Sequence, residues 1–380
     1  FIFSPSINIA VKFLPFYPVF MLLYFAIQSK GISIGRVPIF LAFLIRFILF
    51  EPLRLAELII FERKIHRHQL QEDPIFILGH WRSGTSHLQQ LLSKATNYGT
   101  STIFQCLFAD TYCLSQRWLK PIFDKLCKRI PITYSFQRIP LRLDLPAELD
   151  PALCIIMSSY AYTWGHLFPC NFQYWSQMMV LSDEKKATGW IKDYDYLIKK
   201  LSFFNKKRLI IKSPGDTARL HLLLKQYPNA KFIYIHRSPI PVFHSNRYLW
   251  SVIQKENSFQ KITQARIDQH IIDSYRIILS QYLKKRAKID DDALMEIRFE
   301  ALLQTPLTTL AAIFNQLKLG VPDQQAVRSY IQQTSAYNAK AYKGEKSMES
   351  LIRRSWAFSF EHWPEANSFS SSSHPSSNNR

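Results

Sequence analysis

Residues 74–92 read Pro74-Ile-Phe-Ile-Leu-Gly79-His-Trp-Arg82-Ser-Gly84-Thr-Ser86-His-Leu-Gln-Gln-Leu-Leu92, and this stretch decides the fold. Four apolar residues, Ile75 to Leu78, run into Gly79. A short polar turn follows, and then Leu88, Leu91, Leu92 and Ala95 recur on one helical face. Strand, tight loop and helix in this order put backbone N–H groups at a helix N-terminus, where they hold a phosphate or sulfate group. Gly79-x4-Gly84 has the spacing of the nucleoside-triphosphate P-loop. However, Thr85 stands where that motif needs lysine. The cation comes earlier, at Arg82, so the β/γ-phosphates of ATP are not the expected ligand.

Outward from this stretch, apolar β-branched runs alternate with helical patterns. Strands are expected at Ile75–Leu78, Arg208–Ile211, Phe232–Ile235 and Leu294–Phe299. Helices are expected at Ser86–Ala95, Thr217–Tyr227, Val242–Ile253 and Leu307–Leu317, with a long amphipathic helix over Ile262–Ala287. Continuous apolar strands joined by crossover helices predict an α/β fold, a P-loop-like parallel sheet flanked by helices. Residues 98–205 lack the alternation. Their helical, aromatic-rich sequence is expected to cover the carboxyl edge of the sheet, where ligands bind in open α/β folds.

Three segments are expected. Residues 1–70 form a hydrophobic, amphipathic, membrane-associating segment; 71–365 form the catalytic domain; 366–380 form a disordered Ser-rich tail. Phe13–Ile27 and Ile39–Phe50 are apolar apart from Arg46, but both fall short of the roughly 20 apolar residues of a spanning helix. Lys12, Lys30, Arg36, Arg54, Arg63 and Lys64 flank them on both sides, which favours helices lying on a membrane surface over two clean spans. The competing reading is a helical layer packed on the rest of the protein.

The chain of 380 residues carries a formal charge of +20, which suits a partner with phosphate or sulfate groups. No zinc-finger or RNP-like motif points to nucleic acid. The five cysteines contain no C-x-x-C pair and read as reduced, packed thiols; no N-x-[ST] sequon is present. These features point to the cytoplasm or the cytoplasmic face of a membrane.

Two further strand ends carry cations. One is Lys212 in Ile211-Lys212-Ser213-Pro214. The other is Arg237 in His236-Arg237-Ser238-Pro239, with Ser245 eight residues on. In a parallel sheet Arg82, Lys212 and Arg237 open on one side and make a site for a ligand with several anionic groups. With these residues the chain resembles the sulfotransferases that use 3′-phosphoadenosine 5′-phosphosulfate (PAPS), in particular a bacterial branch with a Gly-His-Trp-Arg-Ser-Gly-Thr loop. The resemblance spans roughly residues 74–320. It implies that Gly79, Arg82, Ser83, Gly84, Thr85 and Ser86 bind the 5′-phosphosulfate and that Arg237 and Ser245 bind the 3′-phosphate. It also implies that Arg82 and Lys212 stabilise the charge spread during transfer, with adenosine 3′,5′-bisphosphate as product and no metal. Arg298-Phe299-Glu300-Ala301-Leu302 resembles a later family segment, Tyr-Glu-Asp-Leu, with Phe and Ala as departures.

An acceptor hydroxyl, or amine, also needs a base. Pro146-Ala-Glu148-Leu-Asp150 sets two carboxylates close together, and Glu148, Asp150 and His166 are the candidates in that order. His80 shapes the loop or touches the acceptor, and His236 is expected to be structural. Phe104, Tyr160, Tyr162, Trp164, Phe168 and Trp175 are expected to line an apolar pocket for a small-molecule or lipid acceptor, with ordinary core as the alternative. Two rival functions stand beside this one: a P-loop kinase or NTPase, and a non-enzymatic protein of anionic membrane surfaces. The first lacks its lysine and its strand-end acid; the second leaves three cationic strand ends unexplained.

Overall fold

The computed structural model describes residues 12–129, 133–134, 139–334 and 346–364. The Ser-rich stretch 366–380 lies outside them, as does the start of the apolar N-terminus. The strands of the main sheet are β1 (Ile75–Leu78), β2 (Gly99–Thr100), β3 (Leu209–Lys212), β4 (Lys231–His236) and β5 (Leu294–Arg298). The helices used below are α1 (Tyr17–Gln28), α2 (Val37–Arg67), α3 (Thr85–Ala95), α4 (Tyr112–Arg129), α5 (Glu184–Asn205), α6 (Pro239–Glu256), α7 (Gln264–Lys285) and α8 (Pro306–Gln316).

The five strands form one parallel sheet in the order β2-β3-β1-β4-β5. Alternate residues of each strand face opposite layers, so β1 and the middles of β3 and β4 are apolar on both faces. Ile75, Ile77, Ile233 and Ile235 face a layer built from α3 and α8, where Leu88, Leu91, Leu92, Leu310 and Ile313 are buried. Phe76, Leu78, Phe232 and Tyr234 face the other layer, with Val242 and Phe243 of α6 and Ile271, Tyr275 and Ile278 of α7. Each such buried apolar side chain contributes about 1.5–3 kcal/mol, which is why α3 forms although its outward face is polar.

The expected strands and crossover helices lie within a few residues of their observed positions. Sequence reading missed β2, a two-residue edge strand inside 98–205; it has too few residues to show a period.

The order of strands creates the site. From β1 the chain crosses to β2 on one side, and from β4 it crosses to β5 on the other. The adjacent carboxyl ends of β1 and β4 therefore lie where the connections diverge, the place of the ligand crevice in such sheets.

The N-terminal helices are built into the same apolar core as the sheet. Tyr17, Met21, Leu22 and Phe25 of α1 are buried in it, and the Phe25 ring lies 4.3 Å from that of Trp164. The apolar runs Ile39–Phe50 and Leu53–Phe61 are one continuous helix, α2, through Pro52. Glu57 of α2 accepts from Lys200 of α5 and, at 3.0 Å, from the Leu114 N–H of α4. Lys12 pairs with Asp193 at 3.1 Å. No helix among the described residues is long and apolar enough to cross a membrane.

The aromatics expected around an acceptor are core instead: Phe104, Tyr160, Tyr162, Trp164, Phe168 and Trp175 are all buried. Their spacing cannot tell a pocket wall from the interior, because both want large apolar surface. The five cysteines are free thiols.

Candidate active site

The loop after β1 is fixed by two glycines. Gly79 has φ +143° and its missing Cβ would lie 2.5 Å from the Ile235 carbonyl oxygen. Gly84 has φ +106°, and a Cβ there would run into the Phe299 ring. Only glycine combines this φ with so close an approach. Between them Ser83 donates from both N–H and Oγ, at 3.2 and 2.8 Å, to the His80 carbonyl. This tight turn forces Arg82 to φ +69°, a left-handed conformation that costs a non-glycine residue about 1–2 kcal/mol. Such strain is kept where it aims a side chain or a backbone donor. α3 begins at Thr85, and no side chain caps it. Its first N–H groups lack intrahelical partners by geometry and face the crevice end of the sheet, where the helix dipole favours an anion.

The 214–217 turn holds the loop from beneath. Thr217 Oγ1 accepts from the Gly79 N–H at 2.8 Å and donates to its carbonyl at 3.2 Å. From the β4 side, Arg237 Nη1 donates to the Arg82 carbonyl at 3.2 Å, and Arg82 Nε donates to Ser245 Oγ at 2.8 Å. Ser245 and its neighbour Asn246 sit on α6, which starts with Pro239 in its first turn, a position that needs no N–H partner. Asn246 Nδ2 donates to the Trp81 carbonyl at 3.0 Å. The first loop and the Arg237–Ser245 segment are thus one hydrogen-bonded unit. The Arg237 guanidinium lies 4.6 Å over the Phe299 ring, so Phe299 seats both Gly84 and Arg237.

Lys212, buried at the end of β3 in register with Ile77, donates to Glu148 Oε1 at 3.0 Å. Glu148 Oε2 accepts from Trp81 Nε1 at 3.3 Å. One carboxylate thereby ties the cover segment to both the first loop and β3. Its side chain is 26% exposed, open enough to meet a ligand. Trp81 stands edge-on to Tyr162 and His166, with ring centroids 5.2 and 5.7 Å away. Tyr162 in turn meets Ser213 Oγ at 3.0 Å.

Asp150, the second base candidate, does not reach the crevice. It is fully buried against Arg219 Nη1 at 3.3 Å and accepts from Thr163 N and Oγ1 at 2.9 and 2.7 Å. Residues two apart on a chain entering a helix point different ways, and Glu148 takes the open side. Burial pushes the Asp150 carboxyl up despite Arg219 and Thr163. His166 is neutral, because burial lowers it to about 4. His80 is likewise lowered to about 4 by burial; its Nδ1 lies 3.0 Å from the Trp81 carbonyl, a contact that shapes the loop. His236 stacks on Trp363 at 4.8 Å.

Beneath the site Asp216 shares Arg219 with Asp150 and accepts from Tyr194 at 2.5 Å. Burial pushes its carboxyl from 3.8 up to about 7, more than Arg219 and Tyr194 pull it down. The folded state therefore binds this proton more tightly than the unfolded chain. The stability it adds is full below pH 3.8 and is lost as pH rises through about 7, a slope of up to ~1.4 kcal/mol per pH unit. Asp216→Asn is expected to flatten that slope, so that the fall in melting temperature from pH 5 to pH 8 is smaller than in the parent. An equal fall in both would remove Asp216 as its source.

Thr217, Asn246 and Phe299 support the site and were missed in the sequence. The only signals were their places: five beyond Lys212, one beyond Ser245, and at the phenylalanine that departs from the family segment.

The sequence profile of the sulfotransferase family matches residues 74–323, the span that carries every one of these groups. The chain belongs to the sulfotransferase family. It is 24% identical over 308 residues to the omega-hydroxy-beta-dihydromenaquinone-9 sulfotransferase Stf3 of Mycobacterium bovis and, equally, to that of Mycobacterium tuberculosis; the match covers 80% of this chain and 78% of each relative. The crystal structure of sulfotransferase STF9 from Mycobacterium avium shares the fold with a TM-score of 0.67 at 15% identity, over 82% of this chain and 81% of that one. That of STF1 from Mycobacterium tuberculosis does so with a TM-score of 0.65 at 16% identity, over 92% and 93%. This sulfotransferase is an enzyme, and the kinase and purely lipid-binding readings fall.

Proposed function

We propose that this sulfotransferase takes its sulfuryl group from PAPS and passes it to a hydroxyl of an apolar, lipid-like acceptor. The observation that carries the donor is the hydrogen-bonded union of Arg82, Arg237 and Ser245, which brings two anion-binding segments some 150 residues apart in sequence into one clamp. A donor with phosphates at both its 5′ and 3′ ends suits it. The first N–H groups of α3, with Ser83, Gly84, Thr85 and Ser86, hold the 5′-phosphosulfate. Arg237 and Ser245 hold the 3′-phosphate.

In the transfer the acceptor oxygen bonds to sulfur as the bond from sulfur to the bridging oxygen of the donor breaks, in line. The leaving 5′-phosphate takes up negative charge, which Arg82 and the α3 N-terminus stabilise; Lys212 neutralises the transferring sulfonate. Glu148 takes the proton of the acceptor hydroxyl. Asp150 acts only as a positioning residue through Arg219. A lipid-like acceptor is supported by the Stf3 relatives, which are sulfotransferases of omega-hydroxy-beta-dihydromenaquinone-9.

The donor is tested by thermal shift. Adenosine 3′,5′-bisphosphate is expected to raise the melting temperature, whereas ATP with Mg²⁺ is not. Arg237→Ala is expected to weaken bisphosphate binding by about 10- to 100-fold, the worth of a charge-assisted contact, while binding of adenosine 5′-monophosphate stays near the parent value. Equal loss on both ligands would take Arg237 away from the 3′-phosphate.

A further inference from the structure

Helix α2 buries charged residues beside Phe40, Phe47 and Ile65, and leaves an apolar stripe exposed. In an ordinary surface helix the apolar stripe faces the core and charges face water. In α2 the buried positions include Glu51, Arg54, Glu57 and Glu62. Three of them are satisfied inwardly: Arg54 pairs with Glu51 at 2.6 Å and donates to the Leu14 carbonyl at 3.0 Å, and Glu57 meets Lys200 and the Leu114 N–H. The outward positions are Leu41, Ile45, Ile48, Leu49, Ile59 and Ile60, all exposed, Leu49 at 70% and Ile59 at 74%. They recur at helical spacing over about 30 Å. Scattered exposed leucines are normal; a stripe of this length on one face is not, and such a surface calls for an apolar partner.

The helix beside it repeats the pattern. α4, joined to α2 at Glu57, exposes Trp118, Ile122 and Leu126, spaced four apart on one face. Exposed Arg117, Lys125, Lys128 and Arg129 are interleaved with them. At the two ends of α2 stand Lys30 and Arg36, and Arg63, Lys64 and Arg67. An apolar stripe rimmed by cations, with a tryptophan at its border, is complementary to the acyl and anionic headgroup layers of one bilayer leaflet. A second copy of this chain would bring like charges together around the same stripe.

We infer that the outward faces of α2 and α4 form a monolayer-docking surface on which the enzyme lies on an anionic membrane, without crossing it. The surface rests on the helix pattern and not on the acceptor proposed above. Should both hold, they meet at the short helix Ile103–Leu107. Exposed Leu107 is one residue from Cys106, whose thiol donates to the Glu148 carbonyl at 3.1 Å.

The test is co-sedimentation of the full chain with vesicles of phosphatidylcholine and phosphatidylglycerol, and with phosphatidylcholine alone. Strong binding to the mixed vesicles, weakened by salt and by omitting phosphatidylglycerol, is expected. The combined variant Leu49→Gln, Ile59→Gln and Trp118→Gln leaves the charge unchanged and is expected to bind at least about tenfold more weakly. Its thermal shift with adenosine 3′,5′-bisphosphate should equal that of the parent, which separates loss of docking from loss of fold and from failure of the donor reading. Parent protein that binds neither vesicle overturns the inference. So does parent protein that sediments as a dimer, with the triple variant monomeric and vesicle binding absent; the stripe would then join two copies.

Discussion

Lys212→Met is expected to lower kcat by about 100- to 1,000-fold, the usual cost of removing one group that stabilises transition-state charge in a water-poor site. Lys212 ends β3 almost wholly buried, with its ammonium 3.0 Å from Glu148. Methionine keeps the stem that packs there and deletes only the charge. The KM for the donor should change far less than kcat, because the clamp proposed to hold both phosphates, Arg82, Arg237 and Ser245, is untouched. Steady-state kinetics with donor varied at saturating acceptor measure this split. A kcat within threefold of the parent would remove Lys212 from the transferring sulfonate. The partly exposed Glu148 can hydrate when its partner is lost, so the fold should survive; the thermal shift with adenosine 3′,5′-bisphosphate checks it.

Glu148→Gln is expected to lower kcat by about 100- to 10,000-fold, the range for loss of a positioned general base. The amide keeps the shape of the carboxylate and can still accept from Trp81, so bisphosphate affinity should be nearly unchanged. Full turnover in this variant would pass the role to another group. His166 is a poor successor, since burial holds it at about 4 and a base so weak has little drive to take a hydroxyl proton. Lys212 and Glu148 are in direct contact, so their effects should not add. The double variant is expected to be only slightly slower than the worse single one; full additivity would mean that the two act at separate steps.

Much of the site was legible before any coordinates because its parts are local. Gly79 and Gly84 announce a loop that needs φ beyond the reach of other residues. Arg82, Lys212 and Arg237 each follow an apolar strand, and parallel strands end on one side. What spacing could not convey is which neighbours a side chain meets across the chain. Glu148 and Asp150 look alike in sequence, yet one bridges Lys212 and Trp81 at the crevice and the other is locked on Arg219 in the interior. Phe299 reads as a departure from a motif; in space it is the floor under Gly84 and Arg237.

The N-terminus shows the same division. Composition alone marks Phe13–Phe61 as apolar and rimmed by cations, and the shortness of its separate apolar runs argues against a span. Only the folded structure decides which way the segment faces. Glu51, Arg54 and Glu57 turn inward, because Lys200 and the backbone groups of Leu14 and Leu114 wait there to satisfy them, and Ile48, Leu49 and Ile59 are thereby turned out. The sequence by itself determined the parallel sheet, the glycine-bounded loop after β1 and the family, since period, glycine position and strand-end charge are properties of neighbouring residues. Which carboxylate meets the crevice and which face of α2 meets solvent were decided by tertiary structure, since a buried charge goes where partners from distant segments can pair with it.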